Sequence, residues 1–501
     1  MTQTASDSAL SADGEQRRFA SLDPRTGEVV AHHPIHTAAE VGEAVSSARE
    51  ASAWWAGLGF EGRKTKLDAW RRVLSKRADE FVALISSETG KPADDSRVEI
   101  ALVMDHLHWA SRHAGRVLGK RRVSAGMLMF NHAATLEYRP LGVIGVIGPW
   151  NYPAHTPMGS ISYALAAGNA VVFKPSEFTP GVGTFLASTF SEAVPEYPVF
   201  QVVTGFGETG AALCTSGVDK LAFTGSTRTG KKVMAACAAT LTPVLVECGG
   251  KDALIVDSDA DLTAAAEAAM WGAVSNAGQT CAGVERVYVA EDVADEFIEI
   301  AVKRALRLKP GGEPNANLGP ITMPSQVEII REHVQDALDR GGRALVGGPE
   351  SIRPPYVEPV VLTDVPEDSL AITEETFGPT VVINRVPNAL EGVRLANQSK
   401  YGLGAAVFSK SRGEELAREL RVGMVSVNAV LTYAAIPGLP FGGVGDSGFG
   451  RIHGEDGLRE FAYPKAVTKQ RFKALLNMTT FDRSSLAGKQ MLRLARLLFG
   501  R

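Results

Sequence analysis

One cysteine in this chain sits where a thiol could act as a nucleophile. Cys281 follows an alanine-rich predicted helix that begins near Asp261, and it precedes a predicted strand at residues 286–289. A thiol becomes a useful nucleophile when a tight backbone holds it and it ionises readily. Gly278 and Gly283 would let that backbone come close to a bound substrate. The alternative is a buried, inert cysteine, which is the commoner fate of a free thiol.

A carboxylate at the end of an apolar run is the second candidate for chemistry. Residues 244–246 predict a buried strand, and Glu247 ends that strand in front of Cys248 and two glycines. A carboxylate in such a place lowers stability unless it is paired or has a chemical task. Its presence therefore favours a catalytic role for Cys281 over an inert one.

The two stretches together resemble motifs of the NAD(P)-dependent aldehyde dehydrogenase superfamily. Residues 247–251 look like the family's E-L-G-G-K motif, with Cys248 in place of the usual Leu. Residues 278–281 look like its G-Q-x-C nucleophile motif. The resemblance covers nearly the whole chain, from about Phe19 to Lys469, with the motifs in the family's order.

A rigid loop follows the first strand of the predicted parallel set. Pro149 and Pro153 flank Asn151, and two prolines fix the loop and aim the side-chain amide. An amide N–H can stabilise a developing oxyanion, whereas the alternative is a plain strand-to-helix loop. The loop matches the family's P-W-N-[FY]-P motif, which implies that Asn151 completes the oxyanion hole and that Trp150 contacts the cofactor.

The resemblance implies a covalent mechanism. Cys281 forms a thiohemiacetal with the aldehyde, hydride transfer leaves a thioester, and Glu247 activates the water that releases the acid. Two alternatives stay open: a CoA-acylating dehydrogenase, whose relatives generally lack the glutamate, and a non-catalytic structural protein on the same fold.

By family register, Thr156 and Gly159 stand where relatives often carry bulkier residues. We therefore expect a wide apolar funnel and a preference for medium-chain or aromatic aldehydes.

Two charged residues follow the next predicted strand, at residues 170–173. At the carboxyl end of a parallel strand, Lys174 and Glu177 could both reach ribose hydroxyls. The alternative is a solvated pair of charges. The resemblance assigns both residues to the adenosine ribose. Because the Glu177 carboxylate favours a 2′-hydroxyl and repels a 2′-phosphate, we expect NAD as the cofactor, with NADP less favoured.

A glycine and a serine lead from another predicted strand into a helix. Backbone N–H groups at a helix start bind phosphate well, and the family's spacing places the pyrophosphate at Gly225 and Ser226. Residues 205–210 and 443–448 match the common G-x-G-x-x-G pattern. A lone match is a weak signal, so we interpret both stretches as turns.

A late acidic motif completes the expected cofactor site. Residues 374–379 resemble the family's E-E-x-F-G-P motif. The resemblance implies that Glu375 holds the nicotinamide ribose and that Phe377 packs near it. The alternative is an acidic pair on the surface at a helix end.

Two groups of potential ligands do not predict a metal site. An acidic series at residues 257–261 mimics the start of a calcium loop, but Leu262 and Ala268 occupy the positions that need Gly and Glu. Those aspartates are better explained as caps of the next helix. Three histidines share one predicted helix without a supporting carboxylate at i+4; they are His106, His108 and His113. We predict no metal.

Composition excludes several classes of protein. The 501 residues are too many for one core, and 45% apolar with 22% charged residues is ordinary for a globular protein. A net charge of −4 gives no reason to expect nucleic-acid binding. Four cysteines without a C-x-x-C pair indicate a reducing compartment. No run of 18 apolar residues predicts a membrane span, so we expect a cytoplasmic protein.

Short apolar strands alternate with helical stretches, which predicts an α/β fold with parallel sheets covered on both faces. The resemblance implies a Rossmann-like cofactor domain, a second α/β catalytic domain and a small β oligomerisation element. The predicted ranges are 17–119 and 142–249 for the cofactor domain, with 441–463 returning to it, 250–440 for the catalytic domain, 120–141 and 464–474 for the oligomerisation element, 1–16 for a disordered N-terminus and 475–501 for a basic amphipathic tail.

The C-terminal tail is strongly basic. From residue 471 to the end, seven Lys or Arg and one Asp give a net charge of +6, which leaves −10 for the rest of the chain. In a helix, cations and apolar side chains would take opposite faces: Lys489, Arg493 and Arg496 on one, Met491, Leu494 and Leu498 on the other. Such a helix can lie on an anionic membrane, and the alternative is packing on a partner subunit. The resemblance implies a homodimer or homotetramer.

Overall fold

The computed structural model describes residues 17–312, 316–474 and 480–500. The chain forms two compact units, one comprising residues up to Val117 with Pro140–Ala462, the other Leu118–Arg139 with Tyr463–Arg501. The predicted N-terminal extension, residues 1–16, lies outside the described residues. Among the described residues, no helix combines the length and the apolar character that crossing a membrane requires.

The described residues form seventeen α-helices. In chain order they are α1 (Ala38–Gly57), α2 (Gly59–Lys76), α3 (Ala78–Thr89), α4 (Ala93–Leu118), α5 (His155–Ala167), α6 (Pro180–Ala193), α7 (Gly207–Thr215), α8 (Thr227–Ala238), α9 (Leu262–Val274), α10 (Ala294–Ala305), α11 (Gln326–Asp339), α12 (Leu370–Thr373), α13 (Ala389–Ala396), α14 (Gly413–Glu419), α15 (Thr432–Ala435), α16 (Gly454–Glu460) and α17 (Ser485–Phe499). Thr37 and Glu40 form a reciprocal capping box at the start of α1. Asp261 caps α9 by accepting from the backbone N–H of Ala264, as the sequence predicts.

The same residues form twenty β-strands. They are β1 (Arg18–Leu22), β2 (Val29–Pro34), β3 (Arg121–Val123), β4 (His132–Pro140), β5 (Val143–Ile147), β6 (Ala170–Lys174), β7 (Phe200–Val202), β8 (Lys220–Gly225), β9 (Val244–Cys248), β10 (Asp252–Val256), β11 (Val284–Ala290), β12 (Arg343–Val346), β13 (Ile352–Arg353), β14 (Tyr356–Val357), β15 (Val360–Thr363), β16 (Thr380–Val386), β17 (Gly404–Phe408), β18 (Met424–Val427), β19 (Gly448–Phe449) and β20 (Ala462–Gln470). The hairpin of β1 and β2 has no counterpart in the sequence prediction.

One predicted helix is two helices in the structure. The apolar pattern over 62–89 predicts a continuous helix, but Arg77 separates α2 from α3 with φ −103° and ψ 21°. The Arg77 guanidinium pairs with Glu80 and lies 4.6 Å from the centre of the Phe185 ring. The pattern does not show the break because both helices bury an apolar face.

The first large sheet has six strands in the order β19-β9-β8-β5-β6-β7. All neighbours are parallel except β19, which pairs antiparallel with β9. The chain passes from β5 through β6 to β7, and then returns to β8 on the other side of β5. Strand order therefore reverses between β5 and β8. Open α/β sheets bind ligands at the carboxyl ends of their strands at such a point.

The second large sheet has seven strands in the order β12-β15-β16-β11-β10-β17-β18, and only β12 is antiparallel to its neighbour. Strands β10, β11 and β17 are buried along their whole length. Helices α9 and α10 pack on one face of this sheet, and α13 and α14 pack on the other. This arrangement is that of a parallel sheet with both faces covered, and it confirms the predicted α/β class.

The second unit contains a three-stranded sheet in the order β20-β4-β3, in which β3 and β4 are antiparallel. Asn131 joins its two chain segments, because its Nδ2 donates to the Phe472 carbonyl at 3.2 Å and its own carbonyl accepts from the Arg471 N–H at 2.8 Å. Eight of the nine residues of β20 are exposed. The domain boundaries and the oligomerisation role given above stay predictions.

Candidate active site

The backbone just before Cys281 has an uncommon conformation. Asn276, Ala277 and Gly278 have φ values of 52°, 54° and 71°. Non-glycine residues rarely adopt positive φ, and such strain persists only where the surroundings hold it. The 3₁₀ turn Ser275–Gly278 connects α9 to the loop that precedes β11. Cys281 therefore lies in a short, strained connection between a helix and a buried strand.

The two glycines of this connection accommodate protein backbone. A Cβ at Gly278 would overlap the carbonyl of Gly378, and one at Gly283 would lie 2.9 Å from the Thr280 carbonyl oxygen. The sequence analysis interpreted both glycines as room for a substrate. That interpretation is wrong in this structure, because the space that each glycine leaves is taken by another part of the chain.

Gln279 holds the connection in place. Its side chain is buried, and its Oε1 accepts from the Thr322 backbone N–H at 2.8 Å. Its Nε2 donates to the carbonyls of Asn276 at 2.9 Å and Pro320 at 3.2 Å. The glutamine of the G-Q-x-C motif therefore positions the nucleophile loop.

The Cys281 thiol lies next to the Glu247 carboxyl group. Cys281 Sγ is 3.7 Å from Glu247 Oε1, and the Thr224 hydroxyl donates to Glu247 Oε2 at 3.4 Å. Glu247 is only 3% exposed at the end of β9. Burial raises the pKa of Glu247 to about 7, since its surroundings disfavour the charged form. A carboxyl group with this pKa can act as a general base near neutral pH.

The thiol does not ionise readily in this environment. Burial raises the pKa of Cys281 well above its ordinary value, and the nearby charges of Glu247 and Glu375 raise it further. The expected ready ionisation is therefore wrong for the protein without ligands. A base must take the proton as the thiol attacks, and Glu247 is within reach to do so.

Asn151 lies against the same loop. It is 4% exposed, and its Nδ2 donates to the Gln279 carbonyl at 2.9 Å. Its own carbonyl accepts from Asn276 Nδ2 at 3.0 Å. A side-chain amide has two N–H groups, so the contact to Gln279 orients the amide and leaves a second N–H for a substrate oxygen.

A buried ion pair positions the Asn151 loop. Lys91 Nζ lies 2.7 Å from Glu99 Oε2, and neither side chain is exposed. Lys91 also donates to the Asn151 carbonyl at 2.8 Å, while Glu99 Oε1 accepts from the backbone N–H groups of Ala154 and His155. The sequence analysis missed both residues, because a lysine near a helix start and a glutamate in a helix are usually solvated.

The predicted cofactor residues lie at the carboxyl ends of three neighbouring strands. Trp150 follows β5, Lys174 ends β6 with Glu177 three residues later, Gly225 ends β8, and Ser226 caps α8. These strands include the pair β5 and β8, between which the strand order reverses. The 205–210 match follows β7 at the far edge of the sheet, so the switch point favours Gly225 and Ser226 as the phosphate site.

The chemistry of these residues fits a dinucleotide. The first turn of helix α8 presents backbone N–H groups, and Ser226 Oγ accepts from that of Thr229 at 3.3 Å. Lys174 Nζ lies 3.4 Å from Glu177 Oε2, and the Glu177 side chain is 37% exposed. The Lys174 side chain is buried, whereas the Glu177 carboxylate is exposed enough to contact a ribose hydroxyl.

The acidic motif lies against the glycines that follow Glu247. Glu375 Oε1 accepts from the Gly250 N–H at 3.3 Å, and a Cβ at Gly249 would overlap the Glu375 carboxyl group. Burial raises the pKa of Glu375 to about 8. The Phe377 ring lies 5.5 Å from the Trp150 ring, almost perpendicular to it. Glu375 is therefore part of the cleft next to Cys281 and not a surface charge.

A second buried carboxylate organises this motif. Glu285 accepts from the backbone N–H groups of Thr376 at 2.8 Å and Phe377 at 3.0 Å, and it pairs with Lys251. Lys251 also donates to the Thr376 hydroxyl at 3.2 Å. The sequence analysis did not single out Glu285, although a carboxylate in the apolar strand β11 gives the same signal that identified Glu247.

The space beside Gly159 is filled by protein. A Cβ at Gly159 would lie 2.6 Å from His453 Nε2 and 2.8 Å from Ile452 Cδ1. The wide funnel expected from this glycine is therefore absent at that position, since the room serves the two side chains. The expected preference for medium-chain or aromatic aldehydes loses this support.

The acidic series after β10 has structural partners. Asp257 pairs with Arg412 at 2.8 Å, and Asp259 accepts from the N–H groups of Lys410 and Ser411. These contacts, together with the cap by Asp261, account for the series without calcium.

The fold and the site define an α/β protein in which a partly buried thiol lies beside a buried carboxyl group near the carboxyl ends of the strands of the first large sheet. The family model described as "Aldehyde dehydrogenase family" matches residues 11–467. The chain is 38% identical to the 4,4'-diapolycopene aldehyde oxidase of Methylomonas sp over 450 residues, which are 89% of this chain and 84% of that protein. It is 35% identical to the Sinorhizobium fredii protein named "Probable succinate-semialdehyde dehydrogenase [NADP(+)]", over 90% of this chain and 92% of that protein.

A solved structure has the same architecture. The aldehyde dehydrogenase from Brucella melitensis biovar abortus 2308 superposes with a TM-score of 0.87 at 32% identity, covering 92% of this chain and 95% of that one. This chain belongs to the aldehyde dehydrogenase family. It is an oxidoreductase that oxidises an aldehyde to the carboxylic acid with a nicotinamide cofactor, which confirms the resemblance noted from the sequence.

Proposed function

We propose that Cys281 is the nucleophile of this reaction, that Glu247 is its base and that Asn151 stabilises the oxyanion. The observation that supports this assignment most is the 3.7 Å distance from Cys281 Sγ to Glu247 Oε1. The pKa of about 7 at Glu247 adds to it, because the carboxyl group can both accept and release a proton near neutral pH.

The proposed cycle uses each group in turn. Glu247 takes the thiol proton as Cys281 Sγ attacks the aldehyde carbon, and the Asn151 amide with the Cys281 N–H holds the oxygen of the thiohemiacetal. A bound nicotinamide supplies the hydride acceptor, and loss of hydride leaves a thioester on Cys281. Glu247 releases the thiol proton to solvent and removes a proton from water as the water oxygen attacks the thioester carbon. The carbon–sulfur bond then breaks, the acid leaves, and the Cys281 thiolate takes the proton back from Glu247.

An assay of NADH formation tests this function against the two alternatives. We expect steady NADH production from aldehyde and NAD without CoA. A CoA-acylating enzyme would need CoA for steady production, and a non-catalytic protein would give none under either condition. The buried Glu247 beside the thiol supports the hydrolytic outcome, because CoA-acylating relatives generally lack this glutamate.

We propose NAD as the preferred cofactor. The partly exposed Glu177 carboxylate lies beside Lys174 at the end of β6, where an adenosine ribose would lie in a sheet of this topology. A negative charge there repels a 2′-phosphate. The Sinorhizobium fredii relative is named with NADP(+), so membership of the family alone does not fix the preference, and the proposal depends on Glu177.

We propose that the protein is a cytoplasmic homodimer or homotetramer. All four cysteines are free, which suits a reducing compartment. In the second unit, β20 is an edge strand with exposed apolar side chains, among them Tyr463 and Val467. An exposed apolar edge strand is a template for pairing with another chain. Light scattering on the purified protein tests the assembly, and a monomer would contradict it.

A further inference from the structure

Three histidines from separate elements meet in the interior of the larger unit. His106 lies in α4, His155 is the first residue of α5, and His453 precedes α16. One ring nitrogen from each lies within 4.8 Å of the others. The ring centres are 4.0 Å apart for His106 and His453, 5.1 Å for His106 and His155, and 5.9 Å for His155 and His453. The three rings therefore converge on one point.

Several polar atoms of this cluster have no protein partner. Both ring nitrogens of His453 and Nε2 of His155 are buried without a hydrogen-bond partner in the part of the chain that the structure describes. His453 is 1% exposed, and its φ of 63° is uncommon for a non-glycine residue. Buried polar groups are nearly always satisfied, so an orphaned imidazole indicates a missing ligand.

The contacts of His106 leave one of its ring nitrogens with a lone pair. Its Nε2 lies 3.2 Å from the Ala434 carbonyl, which can only accept, so Nε2 has the proton and Nδ1 has the lone pair. The Tyr163 hydroxyl, 3.4 Å from Nδ1, donates to the Pro437 carbonyl at 2.9 Å. Histidines that bind metals generally donate their other ring N–H to a carbonyl or carboxylate in this way.

The surroundings make room for the imidazoles. Gly159 lies against the His453 ring, where any larger residue would displace Nε2. The charged groups that act on the cluster are Asp105, the neighbour of His106 in α4, and Lys91, which precedes α4 and acts on His155.

We propose that His106, His155 and His453 together bind one divalent cation of the zinc class. Three imidazoles with a fourth position open to water are a common zinc arrangement. Zinc–nitrogen bonds of about 2.0–2.1 Å place the ligand nitrogens roughly 3.3 Å apart. The nitrogens here lie within 4.8 Å of one another, so the rings need to close by up to about 1.5 Å. The ion would connect α4, α5 and the start of α16.

The proposed metal site adjoins the catalytic groups. His155 follows Asn151 by four residues, and the Phe441 ring lies 5.6 Å from His453 and 6.3 Å from Tyr433. The charge of Cys281 acts on Tyr433. Binding of the ion would therefore stabilise the segment from which Asn151 projects, while the metal site itself does not depend on the proposed reaction.

The test measures zinc bound to the full chain. Protein without an affinity tag is stripped with a chelator, incubated with zinc, desalted and analysed by elemental mass spectrometry. We expect about one zinc per wild-type chain and less than a tenth of that in His453→Leu. His108→Leu is the matched control, because this histidine shares α4 but not the cluster, and it should keep its zinc. Cys281→Ser should also keep it, which excludes the thiol as the ligand.

Two further measurements keep the proposal falsifiable if His453→Leu does not fold. His155→Ala removes a partly exposed ligand and should also lose the metal. Cobalt in place of zinc should give the visible bands of a tetrahedral nitrogen site without sulfur charge transfer, and zinc should raise the Tm of the wild type but not of the cluster variants. No zinc on the wild type, equal zinc on wild type and cluster variants, or loss of zinc in Cys281→Ser would each overturn the proposal.

Discussion

Glu247 accepts a proton at two points of the proposed cycle, first from the Cys281 thiol and then from water. Both transfers need a carboxylate that is more basic than a solvated one. The apolar end of β9 provides this by raising the pKa to about 7. Burial of the Glu247 carboxylate lowers the stability of the fold, and the same burial gives this group the basicity that the proposed chemistry requires.

The first prediction concerns pH. We expect kcat to fall as the pH is lowered through about 7, by about tenfold for each unit below it, because Glu247 is protonated there and cannot act as the base. A profile of kcat from about pH 5 to about pH 9 checks this, because that range lies on both sides of the raised pKa. The small residual rate of Glu247→Gln should lack this break. A wild-type break near the ordinary value of 4.5 would contradict the raised pKa.

The second prediction concerns the cofactor. Glu177→Ser should reduce the ratio of kcat/KM for NAD to kcat/KM for NADP by about tenfold. The substitution removes the repulsion between the Glu177 carboxylate and the 2′-phosphate of NADP, which is of the order of 1.4 kcal/mol. Glu177→Gln is the matched control for size, and it should behave similarly because the charge is the cause. Faster turnover of the wild type with NADP at equal low concentrations would show that Glu177 is assigned wrongly.

At the scale of an element, the connection 275–283 depends on close backbone packing. We expect Gly278→Ala to lose on the order of a hundredfold in kcat/KM and to lower Tm, because the new methyl group would overlap the Gly378 carbonyl and move Cys281. Gly217→Ala is the matched control: Gly217 also has positive φ, at 82°, but nothing lies within 4 Å of its Cβ position. It should lose roughly 1–3 kcal/mol of stability and keep its activity. Equal activities for the two variants would contradict this account of the loop.

The elements themselves were largely predictable from sequence. Short apolar runs such as 143–147 and 244–246 favour strands buried on both faces, and their alternation with helical stretches predicts a parallel sheet. Cys281, Glu247 and Asn151 could be proposed from the sequence because each lies in a short motif whose members are neighbours in the chain. The break at Arg77 was not found, since the apolar pattern continues across it.

The rest of the site consists of contacts between residues far apart in sequence. Lys91 reaches Asn151 across 60 positions, and Glu285 holds a loop some ninety residues later. Single-sequence patterns report the local period of burial, not which distant side chains meet. For the same reason the sequence grouped His106 with its helix neighbours, whereas the structure groups it with His155 and His453.

At the scale of the whole molecule, the unequal charge distribution is the feature to test. Helix α17 exposes both cations and apolar side chains; its exposed apolar residues are Leu486, Leu492, Leu494, Leu497 and Phe499. Together with the net charge of +6 from residue 471 onward, this exposure suits an anionic surface.

We expect the full chain to float with vesicles that contain anionic lipid and not with neutral ones. A chain truncated after residue 482 should stay at the bottom of the gradient in both cases. The alternative partner for the helix is another subunit, and in that case truncation would change the molar mass by light scattering and leave flotation unchanged. Equal flotation of the two chains would remove the membrane interpretation.

In the proposed cycle Cys281 is needed to make the thioester, whereas Glu247 assists its formation and is needed most to break it, and one rapid-mixing experiment separates the two steps. With aldehyde and NAD, Glu247→Gln should form at most about one NADH per active site and then turn over on the order of a hundred to ten thousand times more slowly than the wild type. Intact-mass spectrometry should show an acyl adduct on this variant and none on Cys281→Ala, which should form no NADH. If Glu247→Gln turned over at the rate of the wild type, the account would be contradicted, because the thioester would then be broken without the base that we assign.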